Sequence, residues 1–215
     1  MGLIKLGILG GFRKKTGTVV GAYWRRLDTI RALPRSSGKA PTQAQLNQQI
    51  KFRLVTAFLS NISPLIDVGF KTANSVSTPM NLAVAYHLKE AITGVEPAFE
   101  LDLSKLKFSQ GKLELPLEMT AVAATGSIMQ ISWLHTEIDD KFLDATDMIN
   151  LLAYNAVKKK FVRVALAAYR SDEGYAFQLP ANFAGDVVHV YAAFSSVKKK
   201  LLYSHTIYLG AITAI

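Results

Sequence analysis

The stretch Phe161-Val-Arg-Val-Ala-Leu-Ala-Ala-Tyr169 carries the pattern that decides the fold. Its side chains form two alternating sets, the even positions from Val162 and the odd positions from Phe161, with the period of two that is typical of a β-strand. Similar short segments, separated by turns, recur about every ten residues along the C-terminal half of the chain. The predicted strands are Phe99–Leu103, Leu113–Ala123, Ile128–Leu134, Ile149–Asn155, Phe161–Tyr169, Tyr175–Leu179, Val187–Phe194 and Leu201–Leu209.

This series of strands predicts an antiparallel immunoglobulin-like or fibronectin-like β-sandwich. Seven or eight short strands in about 115 residues are typical of that architecture. Since no crossover helices separate the strands, a parallel sheet is disfavoured. Trp133 is expected in the core between the two sheets, where its large apolar ring is shielded from water.

Two helices are predicted before the sandwich. In the first, Thr42 and Gln45 form a capping box, in which each side chain satisfies a backbone donor of the first turn. Pro64 is expected to end or kink this helix, because proline cannot donate the backbone hydrogen bond of a helix interior. Its apolar residues recur at steps of three and four and predict one buried stripe, formed by Leu46, Ile50, Leu54, Ala57 and Phe58.

The second helix has equally clear ends in the sequence. Thr78 is the predicted N-cap, Pro79 suits the first helical position, and Gly94 is the predicted C-terminal stop. Its apolar face contains Met80, Val84, Leu88, Ala91 and Ile92. Two helices alone bury too little apolar surface, so we expect them to dock on the sandwich or on another chain.

The N-terminal segment is predicted to contain a short basic β-hairpin. Residues 18–24 and 29–33 are rich in β-branched and aromatic residues, with a turn at Arg25 to Asp28. Residues 7–17 are too rich in glycine and charge for a stable element, and residues 34–41 have the composition of a flexible linker. The expected fold class is therefore α+β, with a basic arm or hairpin at 1–41, a two-helix segment at 42–94 and a β-sandwich domain at 95–215.

Positive charge is concentrated at the N-terminus. The chain has a formal net charge of +9, yet residues 1–60 contain eleven lysine and arginine residues and one acidic residue, Asp28. These sixty residues therefore carry +10, and the rest of the chain is close to neutral. Such an arm attracts an acidic surface, whether nucleic acid, an anionic membrane or an acidic neighbouring subunit.

The basic arm is also the predicted partner-binding site. Its aromatic residues stand beside arginines, an arrangement that can stack on bases while the guanidinium groups hold phosphates. The same strand can instead add to the edge of a partner's sheet, or the arm can be a solvated tail without a partner. The residues concerned are Arg13, Lys14, Lys15, Tyr23, Trp24, Arg25, Arg26, Arg31 and Arg35.

Several catalytic and metal-binding classes lack their motifs in this sequence. The absence of cysteine excludes thiol catalysis, disulfides and cysteine-ligated zinc. The segment Gly10-Gly-Phe-Arg-Lys-Lys-Thr16 is not a phosphate-binding P-loop, because Lys14 stands where the loop needs glycine. The four histidines have no zinc-site spacing, and no Gly-x-Ser-x-Gly motif is present. We therefore expect a protein that is not an enzyme and uses no metal or cofactor.

Five acidic residues cluster between two predicted strands: Glu137, Asp139, Asp140, Asp144 and Asp147. They lack the spacing of a calcium loop, so the prediction is a solvated loop. A second hypothesis is that these acids receive the basic arm of a neighbouring copy, because the two charges are complementary.

Short motifs along the chain together resemble a known protein family. They are Gly17-Thr-Val-Val-Gly21 with Trp24, Arg31-Ala-Leu-Pro34, Thr42-Gln-Ala-Gln45, Lys51-Phe52, Asn81, Ile131-Ser-Trp133, Ala145-Thr-Asp147, Tyr154-Asn155 and Gly185-Asp186. The combination is similar to an uncharacterised Bacteroidota family, a domain of unknown function. The resemblance implies that arm, helices and sandwich form one unit, and it implies no activity, cofactor or catalytic residue.

These observations predict a non-enzymatic structural or interaction protein. The leading hypothesis is a component of a homo- or hetero-oligomeric, virion-like or filamentous assembly, contacted through the basic arm and the helices. The alternatives are a nucleic-acid-binding protein that uses the arm, and a β-sandwich that binds a small molecule or a carbohydrate. We expect no transmembrane segment and a location in the cytoplasm, or in a particle assembled there.

Overall fold

The computed structural model of the protein describes residues 13–24, 27–35, 38–71, 77–135 and 142–215, together with the backbone of residues 2–3. The chain divides into two compact units, Met1–Thr42 and Gln43–Ile215. Within the described ranges the fold is mixed and mostly sheet, with three α-helices and antiparallel strand pairs arranged in several sheets. No helix among the described residues has the length and apolarity needed to cross a membrane.

The unit Met1–Thr42 contains a four-stranded antiparallel sheet. Its strands are β1 (Gly2–Leu3), β2 (Lys14–Thr16), β3 (Val19–Trp24) and β4 (Leu27–Ala32), in the order β1-β4-β3-β2. The predicted hairpin is present as β3 and β4, although β4 begins at Leu27, inside the predicted turn.

The sequence predicted no stable element in residues 7–17, and this prediction was wrong for β2 (Lys14–Thr16). Gly17 has a φ of +59°, a backbone conformation that glycine adopts without the steric cost of a side chain. The chain can therefore reverse at Gly17, so that Lys14–Thr16 pairs with Val19–Gly21.

Three helices open the unit Gln43–Ile215. They are α1 (Gln43–Ser60), α2 (Ser63–Gly69) and α3 (Pro79–Glu90). The Thr78 hydroxyl accepts a hydrogen bond from the backbone N–H of Asn81 at 3.3 Å, as its predicted N-cap role requires. The helical conformation is interrupted between α1 and α2. Pro64 lies in the first turn of α2, where a backbone N–H would have no partner within the helix, so its absence costs nothing.

The structure corrects two details of the helix predictions. Val55 and Leu59, which widen the predicted apolar stripe of α1, are its fully buried residues, whereas Leu46 and Ile50 of that stripe are each 38% exposed. Helix α3 ends at Glu90, and Gly94 instead lies in β5 (Ile92–Val95), which pairs with β6 (Ala98–Leu101). Glycine is required there because a Cβ atom would lie 2.3 Å from the Ala98 carbonyl oxygen.

Seven further strands form two sheets. They are β7 (Leu117–Ala124), β8 (Ile128–Leu134), β9 (Met148–Asn155), β10 (Lys160–Val164), β11 (Gly174–Gln178), β12 (Val187–Ser195) and β13 (Ile207–Thr213). One sheet has the order β10-β9-β12-β13 and the other β11-β8-β7. All strand pairs in both sheets are antiparallel, as predicted.

Two hydrophobic cores lie on opposite faces of the four-stranded sheet β10-β9-β12-β13. On the inner face, residues such as Leu151 and Val190 share a core with Ile131 and Trp133 of the three-stranded sheet. On the outer face, Leu152, Tyr191 and Ala193 share a second core with residues of the helices. The helices therefore bury apolar residues on this sheet, as the first of the two docking predictions expected.

Several predicted strands are shorter or shifted. The strand predicted at Leu113–Ala123 begins at Leu117, and the strand predicted at Phe99–Leu103 ends at Leu101. Strand β10 stops at Val164, because Leu166 has a φ of +53° and its N–H donates a hydrogen bond to the Asn150 side chain at 3.1 Å. The last strand is Ile207–Thr213 and not Leu201–Leu209.

Candidate interaction surface

The sheet of the unit Met1–Thr42 has almost no core. Among its described residues, Gly21 and Thr29 are the buried ones, so Thr29 contributes the one buried side chain. Large apolar side chains face solvent instead: Tyr23 is 50% exposed, Trp24 52% and Leu27 38%. An isolated sheet needs a covered hydrophobic face for independent stability, so this exposure is unusual for a folded sheet.

One face of this sheet combines an aromatic ring with two cations. Lys15, Val20 and Arg31 are direct cross-strand neighbours, so their side chains leave the sheet on the same side. Trp24 lies on that side as well, because it is four residues along β3 from Val20. A depression of about 320 Å³, lined in part by Trp24 and Arg31, opens on the sheet.

The opposite face carries the second exposed aromatic residue. Lys14 pairs with Gly21, and Tyr23 lies two residues further along β3 on the same side. The guanidinium carbon of Arg13 lies 5.0 Å from the centre of the Tyr23 ring, within the range of a cation–π contact. The sheet therefore presents an aromatic ring and positive charge on both faces.

The structure brings together most of the predicted partner-binding residues. Arg13, Lys14, Lys15, Tyr23, Trp24 and Arg31 all lie on or beside this one sheet, and the exposed Arg35 follows β4. Arg25 and Arg26 lie outside the described residues. Residues 1–42 contain nine lysine and arginine residues and the single acid Asp28, so the unit carries a formal charge of +8.

One residue of the predicted acidic loop, Asp147, forms a buried ion pair with Arg170. Glu137, Asp139 and Asp140 lie outside the described residues, but Asp147 and Arg170 are each 0% exposed. Their charged atoms, Oδ2 and Nη2, are 3.5 Å apart. Burial raises the pKa of Asp147 and lowers that of Arg170, because it penalises the charged form of each group. The solvated-loop prediction was wrong for Asp147.

Asp144, the other described acid of this group, also has an internal partner. Its carboxylate accepts a hydrogen bond from Lys198 Nζ at 2.8 Å and another from the backbone N–H of Thr146 at 2.9 Å. These bonds, chiefly that with Lys198, hold the pKa of Asp144 well below its usual range. Asp147 is therefore too buried to receive the arm of a neighbouring copy, and Asp144 already has Lys198 as its counter-charge.

The described residues contain no group of three or more His, Asp or Glu side chains arranged to hold a metal ion. Within that part of the chain, His87 of α3 is wholly buried. Its Nδ1 lies 2.7 Å from the Ala83 carbonyl oxygen, and its Nε2 accepts the N–H of Lys107 at 3.1 Å. Burial lowers the pKa of His87, so the neutral ring serves as a structural link.

The sequence did not indicate a cavity in the second unit. It lies between α2 and the outer face of the four-stranded sheet and is lined in part by Asn150, Arg163 and Ser195. The one signal for it is Asn150, a polar residue within the apolar run from Met148 to Ala153.

Fold and surface together define an α+β protein, mostly of antiparallel sheet, with a separate basic sheet at its N-terminus. Residues 11–210 match the model of a family of unknown function, DUF6266, and the chain belongs to that family. No curated protein matches the chain. The family match confirms the expected resemblance to a domain of unknown function that spans nearly the whole chain.

Proposed function

We propose that this protein is a non-enzymatic structural or interaction protein that joins an assembly through its N-terminal sheet. The observation that carries the proposal is a four-stranded sheet whose described residues bury little more than Gly21 and Thr29. Covering either face with a partner would remove Trp24 or Tyr23 from water and supply the missing hydrophobic contact.

Charge restricts the kind of partner. Two copies of a unit with a charge of +8 repel each other, so a symmetric contact between two of these sheets is disfavoured. The unit Gln43–Ile215 contains fifteen of the sixteen acidic residues and sixteen lysine and arginine residues, so it is close to neutral and does not repel the basic sheet as a second copy of that sheet would. A contact between the sheet of one copy and acidic side chains on the next copy is head-to-tail, and such contacts build rings or filaments. An acidic second component would satisfy the same requirement.

The second unit supplies the rigid body in this proposal. The strand orders β10-β9-β12-β13 and β11-β8-β7, facing each other across one core, support an immunoglobulin-like or fibronectin-like sandwich. In both orders, strands distant in sequence, such as β9 and β12, are neighbours, as in Greek-key connections. Helices packed on the outer face would stiffen this body.

Light scattering after size-exclusion chromatography tests self-assembly. We expect the purified chain to form oligomers at low salt, and we expect the charge-reversed variant K15E/R31E to remain monomeric. These two cations flank Val20 on one face, so their reversal opposes an acidic partner directly. Salt of about 0.5 M is expected to weaken the wild-type oligomer, because ionic contacts at a surface are screened over a few ångströms at that concentration.

The matched control is K112E/K200E, which reverses two exposed lysines of the second unit and is expected to assemble like the wild type. If the wild type is a monomer at every concentration and salt, a pull-down from native lysate decides between self-assembly and a separate component. Failure to retain any protein that K15E/R31E loses would contradict the proposal.

A second candidate function is the binding of single-stranded nucleic acid. The specific observation is that exposed Tyr23 and Trp24 stand among cations, since aromatic rings stack on bases while arginines hold phosphates. Fluorescence anisotropy with a labelled oligonucleotide should then show binding that weakens steeply with salt. We expect W24A to lose about tenfold or more in affinity, and R25A/R26A/R31A to abolish binding. The absence of salt-dependent binding to single- and double-stranded probes would exclude this function.

A further inference from the structure

The second unit contains a cavity of about 510 Å³ on the outer face of its four-stranded sheet. Pro64, Leu65 and Val68 of α2 form one wall, and Ala165 and Ala193 contribute small side chains on the side of the sheet. Phe108 also lines the cavity, which gives it a largely apolar surface. Its volume falls within the range of about 300–1,000 Å³ that is usual for small-molecule sites.

One charged side chain lines this cavity among the described residues, and it is Arg163 of β10. Arg163 is exposed, and it forms no ion pair or hydrogen bond with any described residue. No described lining residue is acidic. An unpaired guanidinium at the edge of an apolar cavity favours an anion, because the planar fork pairs with a carboxylate through two parallel hydrogen bonds.

The polar groups deeper in the cavity are already held in place. The side-chain amide of buried Asn150 donates to Ser195 Oγ at 2.9 Å, and its Oδ1 accepts the N–H of Leu166 at 3.1 Å. This second bond accompanies the left-handed backbone of Leu166, whose φ of +53° is unfavourable for a residue with a side chain. Leu166 is 52% exposed and lines the cavity, so strained backbone and an exposed apolar side chain coincide at its edge.

We propose that this cavity binds a small organic monocarboxylate with an apolar body. The carboxylate pairs with Arg163, and the apolar body lies against Leu65, Val68 and Phe108. The single lining cation matches one negative charge, so a monocarboxylate leaves neither partner without a counter-charge. All described residues that line this cavity belong to the unit Gln43–Ile215. The binding proposal can therefore be tested separately from the proposed assembly.

Isothermal titration calorimetry on the full chain tests the site, with octanoate as the ligand and octanamide as its uncharged equivalent. We expect saturable octanoate binding with a Kd of about 1 mM or tighter, in keeping with a ligand of this size. Octanamide should bind at least about tenfold more weakly, because it cannot form the charge-assisted pair. Amide chemical shifts on octanoate addition should change at Ala193 and Ser195.

Two variants and a matched control locate the site. R163Q should raise the Kd for octanoate at least about tenfold while leaving the Kd for octanamide unchanged. A165F should abolish binding of both ligands by filling the cavity from its exposed edge, where folding is little affected. K160Q removes a charge from the same strand outside the lining and should bind like the wild type.

The proposal is overturned by any of three results. They are the absence of saturable heat with octanoate, equal affinities for octanoate and octanamide, and an equal loss of affinity in R163Q and K160Q.

Discussion

Replacing Arg170 with Met should destabilise the protein by about 3–5 kcal/mol, because it leaves the carboxylate of Asp147 buried without a counter-charge. Both side chains are 0% exposed. The variant also loses the hydrogen bond that Arg170 Nη2 donates to the Glu114 carbonyl oxygen at 2.6 Å, and the contact of its guanidinium with the Phe194 ring at 4.6 Å. Urea unfolding of R170M and the wild type at neutral pH measures the difference.

The pH dependence of this loss has a definite sign. Burial already raises the pKa of Asp147, and without Arg170 the pKa should rise further. A raised pKa in the folded state means that stability is fully present below the unfolded pKa and is lost as the pH rises through the folded pKa. R170M should therefore lose more stability at neutral pH than in mild acid.

The double variant D147N/R170M is the control. It removes both charges, so it should be less destabilised than the sum of R170M and D147N, and it should lack the added pH dependence. Additive losses and a flat pH profile for R170M would show that the ion pair is not the source of the effect.

Replacing Gly111 with Ala should be nearly as severe. A Cβ atom at this position would lie 2.0 Å from the carbonyl oxygen of Tyr203, and backbone atoms cannot move aside as a flexible side chain can. That same oxygen accepts the N–H of Leu113 at 2.9 Å, so the displacement would also break this bond. We expect a loss of about 3 kcal/mol or more, at the upper end of what overpacking costs.

Gly174 of β11 provides the matched control for this substitution. A Cβ atom there would meet the Ile131 carbonyl oxygen at 3.5 Å, an ordinary contact, and Gly174 is not among the residues with positive φ. G174A should therefore change the free energy of unfolding by less than about 1 kcal/mol. Similar thermal midpoints for G111A and G174A would contradict the steric explanation.

The sequence predicted the regular part of the fold because that part depends on local patterns. Short apolar segments separated by turns located β8, β9 and β12, and Thr78 with Pro79 located the start of α3. Strand β2 was missed because Lys14-Lys-Thr16 has no apolar alternation, and its pairing depends on the reversal at Gly17.

Features that depend on contacts distant in sequence could not be predicted. The apolar residues of α1, Val55 and Leu59 among them, are visible in the sequence, but which side of the helix is fully buried depends on how the helix faces the sheet. The burial of Asp147 depends on Arg170, which lies 23 positions later in the sequence. The basic and aromatic side chains of the N-terminal sheet could be selected from the sequence, because charge and aromatic composition are visible without the fold.

The central position of β12 has a consequence for how the second unit unfolds. This strand lies between β9 and β13, and its two faces take part in the two separate cores. Loss of the helical layer would expose Tyr191 and Ala193 to water, and loss of the three-stranded sheet would expose Val190 and Phe194. Because β12 contributes to both cores, unfolding of either layer also destabilises the packing of the other layer. Residues 43–215 should therefore unfold as a single cooperative unit.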